Sequence, residues 1–370
     1  MAIDIDSLPD EAKKALEMFP EFQISEFNES GANGYVMIGR HNVLMKDVAI
    51  KIYFHDENEI DQEPTIIASI NHENVLKVYD ARKVEKSCSF YMMQAANGGD
   101  LFCFLNRQNI SLNSAHRLLC QLLSGLSSLH SETNKLVHRD LKPENLLIHD
   151  DSIIIADFGS VRRIDESTGK VPASKHSILY RPPEAFGSNA FFDYSSDIYQ
   201  AGIIGYLLFG GKLDNDLLTH FAEKDLVKVK ELEKNGNDYD VSVFIDSCIE
   251  KRIKAGKLLN WDSMPFYVSK KIKAVLKKSV AKHDNRYCNA SEFLSELAKI
   301  KAIIPDWITE SDGYLLKNWN GRDYLLKEEK NHVILRKRKH GVKDFRIDNS
   351  IKEKTLSESF KKLRENINLP

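Results

Sequence analysis

The stretch that decides the fold is "LVHRDLKPENLLI", residues 136–148. It sets His138, Arg139, Asp140, Lys142, Glu144 and Asn145 between two apolar runs. Buried charges are costly unless a metal, a ligand or one another satisfies them. The apolar flanks therefore read as anchors, and the charges as a set that faces a cleft. Asp140 and Asn145 stand five apart with Lys142 between them, and "DFG", Asp157 to Gly159, begins twelve residues after Asn145. The apolar run "SIIIA" before it reads as a buried strand with an acid at its end. Mg2+ prefers hard oxygen ligands, which Asp157 and Asn145 can supply. Asp140 can accept a proton from an attacking hydroxyl, and Lys142 can offset charge on a migrating phosphoryl group.

Outward from this stretch the chain changes character twice. Residues 23–93 are strand-rich: "YVMIG" (35–39), "DVAIKIYF" (47–54), "VLKVYDARKV" (75–84) and "SFYMMQ" (89–94) are β-branched or aromatic runs between turn residues. "ENEIDQEPTIIASI" between them reads as a helix that breaks or starts at Pro64. From about residue 100 helices take over. Leu118, Leu119, Leu122, Leu123, Leu126 and Leu129 form one stripe at helical spacing. "SSDIYQAGIIGYLLFG" is apolar nearly all round, as a helix at the centre of a domain would be. Further helices are expected at 214–234, 241–256, 268–282 and 289–301. Beyond "IIPDW" (303–307), "GYLLKNW", "RDYLLKEE", "NHVILRKR" and "KDFRID" read as four short strands, followed by a helix "LSESFKKLRENI".

The bulk numbers exclude several classes. The net charge of −2 gives no global field for nucleic acid. Five scattered cysteines, with no CxxC pair, argue against a disulfide framework or a zinc site and fit a reducing compartment. The acidic start lacks the apolar core of a secretory signal. The longest apolar run, Ala201–Phe209, is nine residues, whereas a membrane span needs about 20. A cytoplasmic protein without a membrane partner is expected.

"HRDLKPEN", "DFG", "VAIK" (48–51), "GGDLFCFL" (98–105), "YRPPE" (180–184), "SSDIYQAGII" (195–204) and "HDNR" (283–286) occur in this order. Over residues 20–300 the chain resembles the eukaryotic-type serine/threonine protein kinases. The resemblance implies an α+β, bilobal kinase-like fold with a β-rich N-lobe over 1–96 and an α-rich C-lobe over 97–302. A small strand-rich module over 303–370, of no recognised family, completes the division. The implied cofactors are ATP and Mg2+, with Mn2+ as a substitute, and the implied partner is a protein carrying a Ser or Thr hydroxyl. Lys51 would contact the phosphates and be held by Glu63, which lies nine residues before His72. Gly31, Ala32, Asn33, Gly34, Val36 and Ala49 would line the nucleotide. Met93 would back the adenine, Gln94 and Ala96 would meet it, and Asp100 would reach the ribose. Asp140 would be the base or orienter, Lys142 a phosphate contact, and Asn145 and Asp157 the metal ligands. Asp197 would brace the catalytic loop, and Arg286 would pair with Glu184.

Two positions depart from the pattern. Glu29 replaces the first glycine of the nucleotide loop and is expected to point outward; Pro64 follows Glu63 and could loosen the Lys51–Glu63 pair. Both favour the alternative of a kinase-fold scaffold with weak or no catalysis, regulated or targeted by the C-terminal module. A small-molecule phosphotransferase is the third reading. Against it stand the "PPE" segment with its partnering arginine and Lys142 two residues after Asp140. Within 160–180, Ser167, Thr168, Ser174 and Ser177 are read first as plain loop polar groups. Arg139 offers a phosphate-binding charge if one is modified. The basic run "RKRKHGVK", 336–343, reads as a solvated hairpin ahead of a nucleic-acid face.

Overall fold

A computed structural model of the chain describes residues 3–29, 34–55, 63–85, 87–173, 177–329, 332–351 and 353–370. The chain is α+β and divides into two compact units. The first comprises residues 1–101 and 145–161, the second residues 102–144 and 162–370.

In the first unit, helix α1 (Asp10–Met18) precedes strands β1 (Phe22–Asn28), β2 (Gly34–His41) and β3 (Lys46–Phe54). Helix α2 (Glu63–Ala68) and strands β4 (Val78–Glu85) and β5 (Cys88–Gln94) follow. The strands form one antiparallel sheet in the order β1-β2-β3-β5-β4. Side chains alternate across a strand, so β3 sends Val48, Ile50 and Ile52 to one face and Ala49, Lys51 and Tyr53 to the other. The first set is fully buried with Met37, Phe90 and Met92 against Ala12, Ala15 and Phe19 of the N-terminal segment. Ala12 and Ala15 are small enough to let α1 lie close on the sheet. A hairpin of Leu146–His149 and Ser152–Ile155 belongs to the same unit. Its tip, Asp150 and Asp151, has φ of 47° and 58°, the left-handed pair that a tight hairpin turn requires. Leu76 N donates to Ile155 O at 2.9 Å and Gly98 N to Ile148 O at 2.8 Å, tying the hairpin to the rest of the unit.

The second unit is helical at first: α3 (Leu101–Arg107), α4 (Leu112–Leu129), α5 (Tyr194–Leu208), α6 (Glu223–Asn235), α7 (Asp238–Lys254), α8 (Lys270–Ser279) and α9 (Ala290–Ile300). The α4 leucine stripe is buried along its length. Helix α5 is buried on nearly every side, and its glycines set how closely its neighbours approach. A Cβ on Gly202 would stand 2.2 Å from Ser279 Oγ, and one on Gly205 2.8 Å from Leu276 and 2.9 Å from Leu119. An antiparallel meander then runs β6 (Asp306–Glu310), β7 (Gly313–Trp319), β8 (Arg322–Glu329), β9 (His332–Lys339) and β10 (Arg346–Asp348). Helix α10 (Leu356–Asn366) follows. The meander is keyed into the helical part by aromatic rings. Trp307 is fully buried, stacks on Tyr267 at 5.7 Å and meets Phe360 at 5.8 Å. Tyr267 Oη and Thr309 Oγ1 share a 2.7 Å hydrogen bond.

The structure corrects several expectations. The strand expected from Val75 begins at Val78, because Leu76 is spent on Ile155 and Val75 bridges to the same residue. The helix expected over 214–234 splits into a 3-10 turn, Leu217–His220, and α6. Asp216 caps the turn by accepting from Leu218 N, the competition with helix that aspartate offers. The C-terminal sheet has five strands instead of four, because the residues after Pro305 form β6. The strand expected over "KDFRID" shrinks to Arg346–Asp348, while Phe345 packs beneath the Arg338 guanidinium at 4.1 Å. Residues 57–62, which open the helix expected over 57–70, lie outside the described residues.

Trp307→Ala should remove the ring that joins the meander to the helices, at a cost of about 3–5 kcal/mol. A denaturant midpoint equal to that of the unsubstituted chain would contradict this packing.

Candidate active site

The first unit gathers three charged side chains. Lys51 on β3 and Tyr91 on β5 are directly opposite each other in the ladder, and Ala49 is opposite Met93. Val36 on β2 faces Lys51 from the other side. These side chains therefore share one sheet face. Lys51 Nζ lies 3.1 Å from Glu63 Oε1 and 2.9 Å from Asp157 Oδ1. Burial, the largest single influence, pulls the ammonium down; Asp157 and then Glu63 outweigh it, so the group is held above its ordinary value. The charge is therefore fixed. Pro64 does not keep Glu63 from reaching Lys51. Tyr91 Oη donates to the same Glu63 Oε1 at 2.9 Å. The other carboxylate oxygen faces Gly159, where an added Cβ would lie 3.3 Å from Oε2.

Asp157 has a left-handed backbone, φ 58° and ψ 80°. For a non-glycine residue that conformation is uncommon and strained, and such strain collects at working sites. Asn145 is buried, and its carbonyl accepts from Ala156 N at 3.0 Å, which ties it beside the segment that ends in Asp157. An amide oxygen and a half-exposed carboxylate from one unit form a donor set suited to a hard divalent cation. Lys51 suits phosphate, and the small Ala49 beside Met93 suits a flat ring. Asp100 bridges to Leu147, and Gln94 and Ala96 are half-buried. Gly34 begins β2 at a point where a Cβ would stand 2.0 Å from Ile52 O, so strand crowding alone requires glycine there. Gly31, Ala32 and Asn33 lie outside the described residues, while Glu29 is exposed.

The second unit scaffolds the loop around Asp140 on one buried carboxylate. Asp197, on α5, is fully buried. It accepts from His138 N at 2.8 Å and Arg139 N at 2.9 Å, and it meets His130 Nε2 at 2.9 Å. Gln200, one turn further on, accepts from Leu141 N at 3.0 Å and donates to Arg139 O at 3.3 Å. The loop's backbone on both sides of Asp140 is thus held by side chains of one helix. This holds Arg139 at φ 73°. Asp140 is 6 % exposed and lies 3.5 Å from Lys142 Nζ. Nearby, Arg286 makes a two-pronged pair with Glu184, at 2.7 and 3.1 Å, and donates to Ser195 O at 2.7 Å. Ser167 and Thr168 are folded onto Asp165, while Ser174 lies outside the described residues.

Tyr91, Gln200 and His130 are site residues that sequence reasoning did not supply. Tyr91 was legible in principle, since it stands two residues before Met93 and so shares its face. Gln200 had the matching signal, three residues after Asp197 on a helix.

A model of the protein kinase domain matches residues 29–297. The chain belongs to the protein kinase family. Its curated relatives include calcium-dependent protein kinase 6 of Plasmodium berghei (strain Anka), 29% identical over 48% of this chain and 12% of the relative. The probable serine/threonine-protein kinase MARK-C of Dictyostelium discoideum is 28% identical over 56% of this chain and 28% of its own. The serine/threonine-protein kinase pkn3 of Myxococcus xanthus is 30% identical over 56% and 41%. The chain thus spans less than half the length of each of these kinases. No helix among the described residues is long and apolar enough to cross a membrane, and none of the five cysteines is in a disulfide.

The Glu184–Arg286 pair of this kinase domain yields a pH-dependent prediction. Burial, the largest influence, pushes the Glu184 carboxyl up, but Arg286 outweighs it and holds the group below its ordinary value of 4.5. A depressed carboxylate stabilises fully above its unfolded value and loses that contribution as pH falls through its folded one. Glu184→Gln should therefore cost about 3–5 kcal/mol near neutrality, because Arg286 stays buried and loses its counter-charge. The gap between the two proteins should narrow as pH falls below 4.5. Denaturant titrations at pH 7 and pH 4 test this, and a gap of constant size would contradict it.

Proposed function

We propose that this protein kinase domain is catalytically active and transfers the γ-phosphoryl group of ATP to serine and threonine hydroxyls of protein substrates and of itself. The single observation that carries the reading is the fixed Lys51 ammonium shared by Glu63 and Asp157. With ATP and Mg2+ or Mn2+ bound, the nucleotide supplies the phosphoryl group and the metal neutralises its charge. Asn145 and Asp157 would hold the metal. Lys51 would contact the phosphates, together with backbone at Gly31, Ala32, Asn33 and Gly34. Val36, Ala49, Met93, Gln94 and Ala96 would surround the adenine, and Asp100 would reach the ribose. Asp140 would orient the acceptor hydroxyl and take its proton, while Lys142 would offset charge on the transferred group.

Lys142 two residues after Asp140 supports hydroxyl acceptors on Ser and Thr, as do the names of two of the relatives. The scattered cysteines, none of them in a disulfide, support a cytoplasmic setting. We read 1–96 and 97–302 as the two kinase lobes and 303–370 as an added module. The scaffold alternative draws on Glu29 and Pro64. Glu29 is exposed, however, and Glu63 beside Pro64 reaches Lys51 at 3.1 Å; both facts support catalysis.

Labelled ATP with Mg2+ should label the chain and a generic protein on Ser and Thr. Asp140→Asn and Asp157→Ala should each lower the rate by about a hundredfold or more. Equal labelling in all three proteins would remove the enzymatic reading, and phosphotyrosine as the main product would remove the Ser/Thr assignment.

A further inference from the structure

The Glu63 carboxylate depends on a donor that lies outside the charged trio. Tyr91 is fully buried in β5, the strand hydrogen-bonded to β3 on one side and β4 on the other. Its hydroxyl donates to Glu63 Oε1, the same oxygen that receives Lys51 Nζ. The helix that carries Glu63 contains Pro64 directly after it, and among its described residues Ile67 is the buried apolar anchor. A phenol fixed in the middle of a sheet gives that carboxylate a second, independent reference point.

We propose that Tyr91 is a positioning residue: its O–H fixes the Glu63 carboxylate so that Glu63 can hold Lys51. This rests on the reading of Lys51 as the phosphate contact and Asp157 as a metal ligand. Lys51 Nζ is already closer to Asp157, at 2.9 Å, than to Glu63, at 3.1 Å. If Glu63 pivots away, the ammonium is left to Asp157 alone. That carboxylate then stays engaged with lysine instead of turning to a cation. The ring and the hydroxyl have separable duties. The ring packs on Tyr53 at 5.7 Å, a contact a phenyl group would keep. Only the hydroxyl reaches Glu63.

Tyr91→Phe isolates the hydroxyl. A role in packing alone predicts wild-type behaviour from this variant. The positioning role predicts a kcat about tenfold lower with little change in KM for ATP, the scale of one hydrogen bond to a charged group. It also predicts faster amide hydrogen exchange over residues 63–70, read by mass spectrometry without nucleotide. In a Glu63→Gln background, Tyr91→Phe should cause no further loss, because the two act as one unit. Wild-type kcat, unchanged exchange over 63–70, or additive losses in the double variant would each overturn the assignment. If the unsubstituted chain labels nothing, the enzymatic reading fails and exchange alone decides. Acceleration in Tyr91→Phe then keeps the Glu63 anchor, and no acceleration ends it.

Discussion

One ammonium group organises the first unit. Lys51 Nζ draws together a carboxylate from a helix, Glu63, and one from the end of the hairpin segment, Asp157, which are 94 residues apart in the chain. Neither carboxylate is placed by sequence proximity. Both converge on a half-buried cation that needs counter-charge, and β3 delivers that cation to the face opposite α1. The apolar alternation of β3 thus fixes the ion-pair cluster as well as the core. Shifting its register by one residue would turn Lys51 into the apolar cluster beneath α1 and bring Ile50 and Ile52 to the charged face.

The second unit solves a similar problem with the opposite sign. Asp197 is a fully buried carboxylate whose partners are mostly backbone N–H groups instead of a cation. Removing a carboxylate from water is tolerable when several donors converge on it, and here the donors belong to the loop that carries Asp140. The helix that bears Asp197 is itself locked by close packing at Gly202 and Gly205 and by the Asp193 capping box. Rigidity therefore passes from helix packing to a carboxylate, from the carboxylate to backbone amides, and from these to the conformation of residues 138–141. Gln200 extends the same support to the far side of Asp140. A site built this way is held by its scaffold before any ligand arrives.

Much of this was legible in the letters, for physical reasons. The α4 leucine stripe, the all-apolar α5 and the alternating β3 each carry the period of the structure they form. Fixed motifs located the charged residues that each unit gathers. What was hidden depends on contacts between distant segments. Val75 and Leu76 look like strand, yet Leu76 N donates to Ile155 O and Val75 N to His72 O. Tyr91 looks like ordinary strand filling until Glu63 is brought over it. Strand β6 is short, begins just after Pro305 and takes its place from pairing with β7, a partner that local pattern does not reveal.

The basic run of the C-terminal meander shows the same limit in its electrostatics. Read as letters, 336–343 is a block of positive charge. In the folded sheet its charges are partly spent at home. Lys337, directly across from Arg346, reaches Asp348 at 2.8 Å, which relieves the repulsion of two cations facing each other on adjacent strands. Arg338 and His340 converge on Asp323, which is 2 % exposed, at 2.8 and 2.7 Å. Asp323 also accepts from Asn318 N at 2.9 Å and so closes the turn between β7 and β8. These cations therefore stitch β8, β9 and β10 together. A residue count overstates the field such a strand can offer an outside anion, because the sheet's own acids lie within hydrogen-bond reach of it.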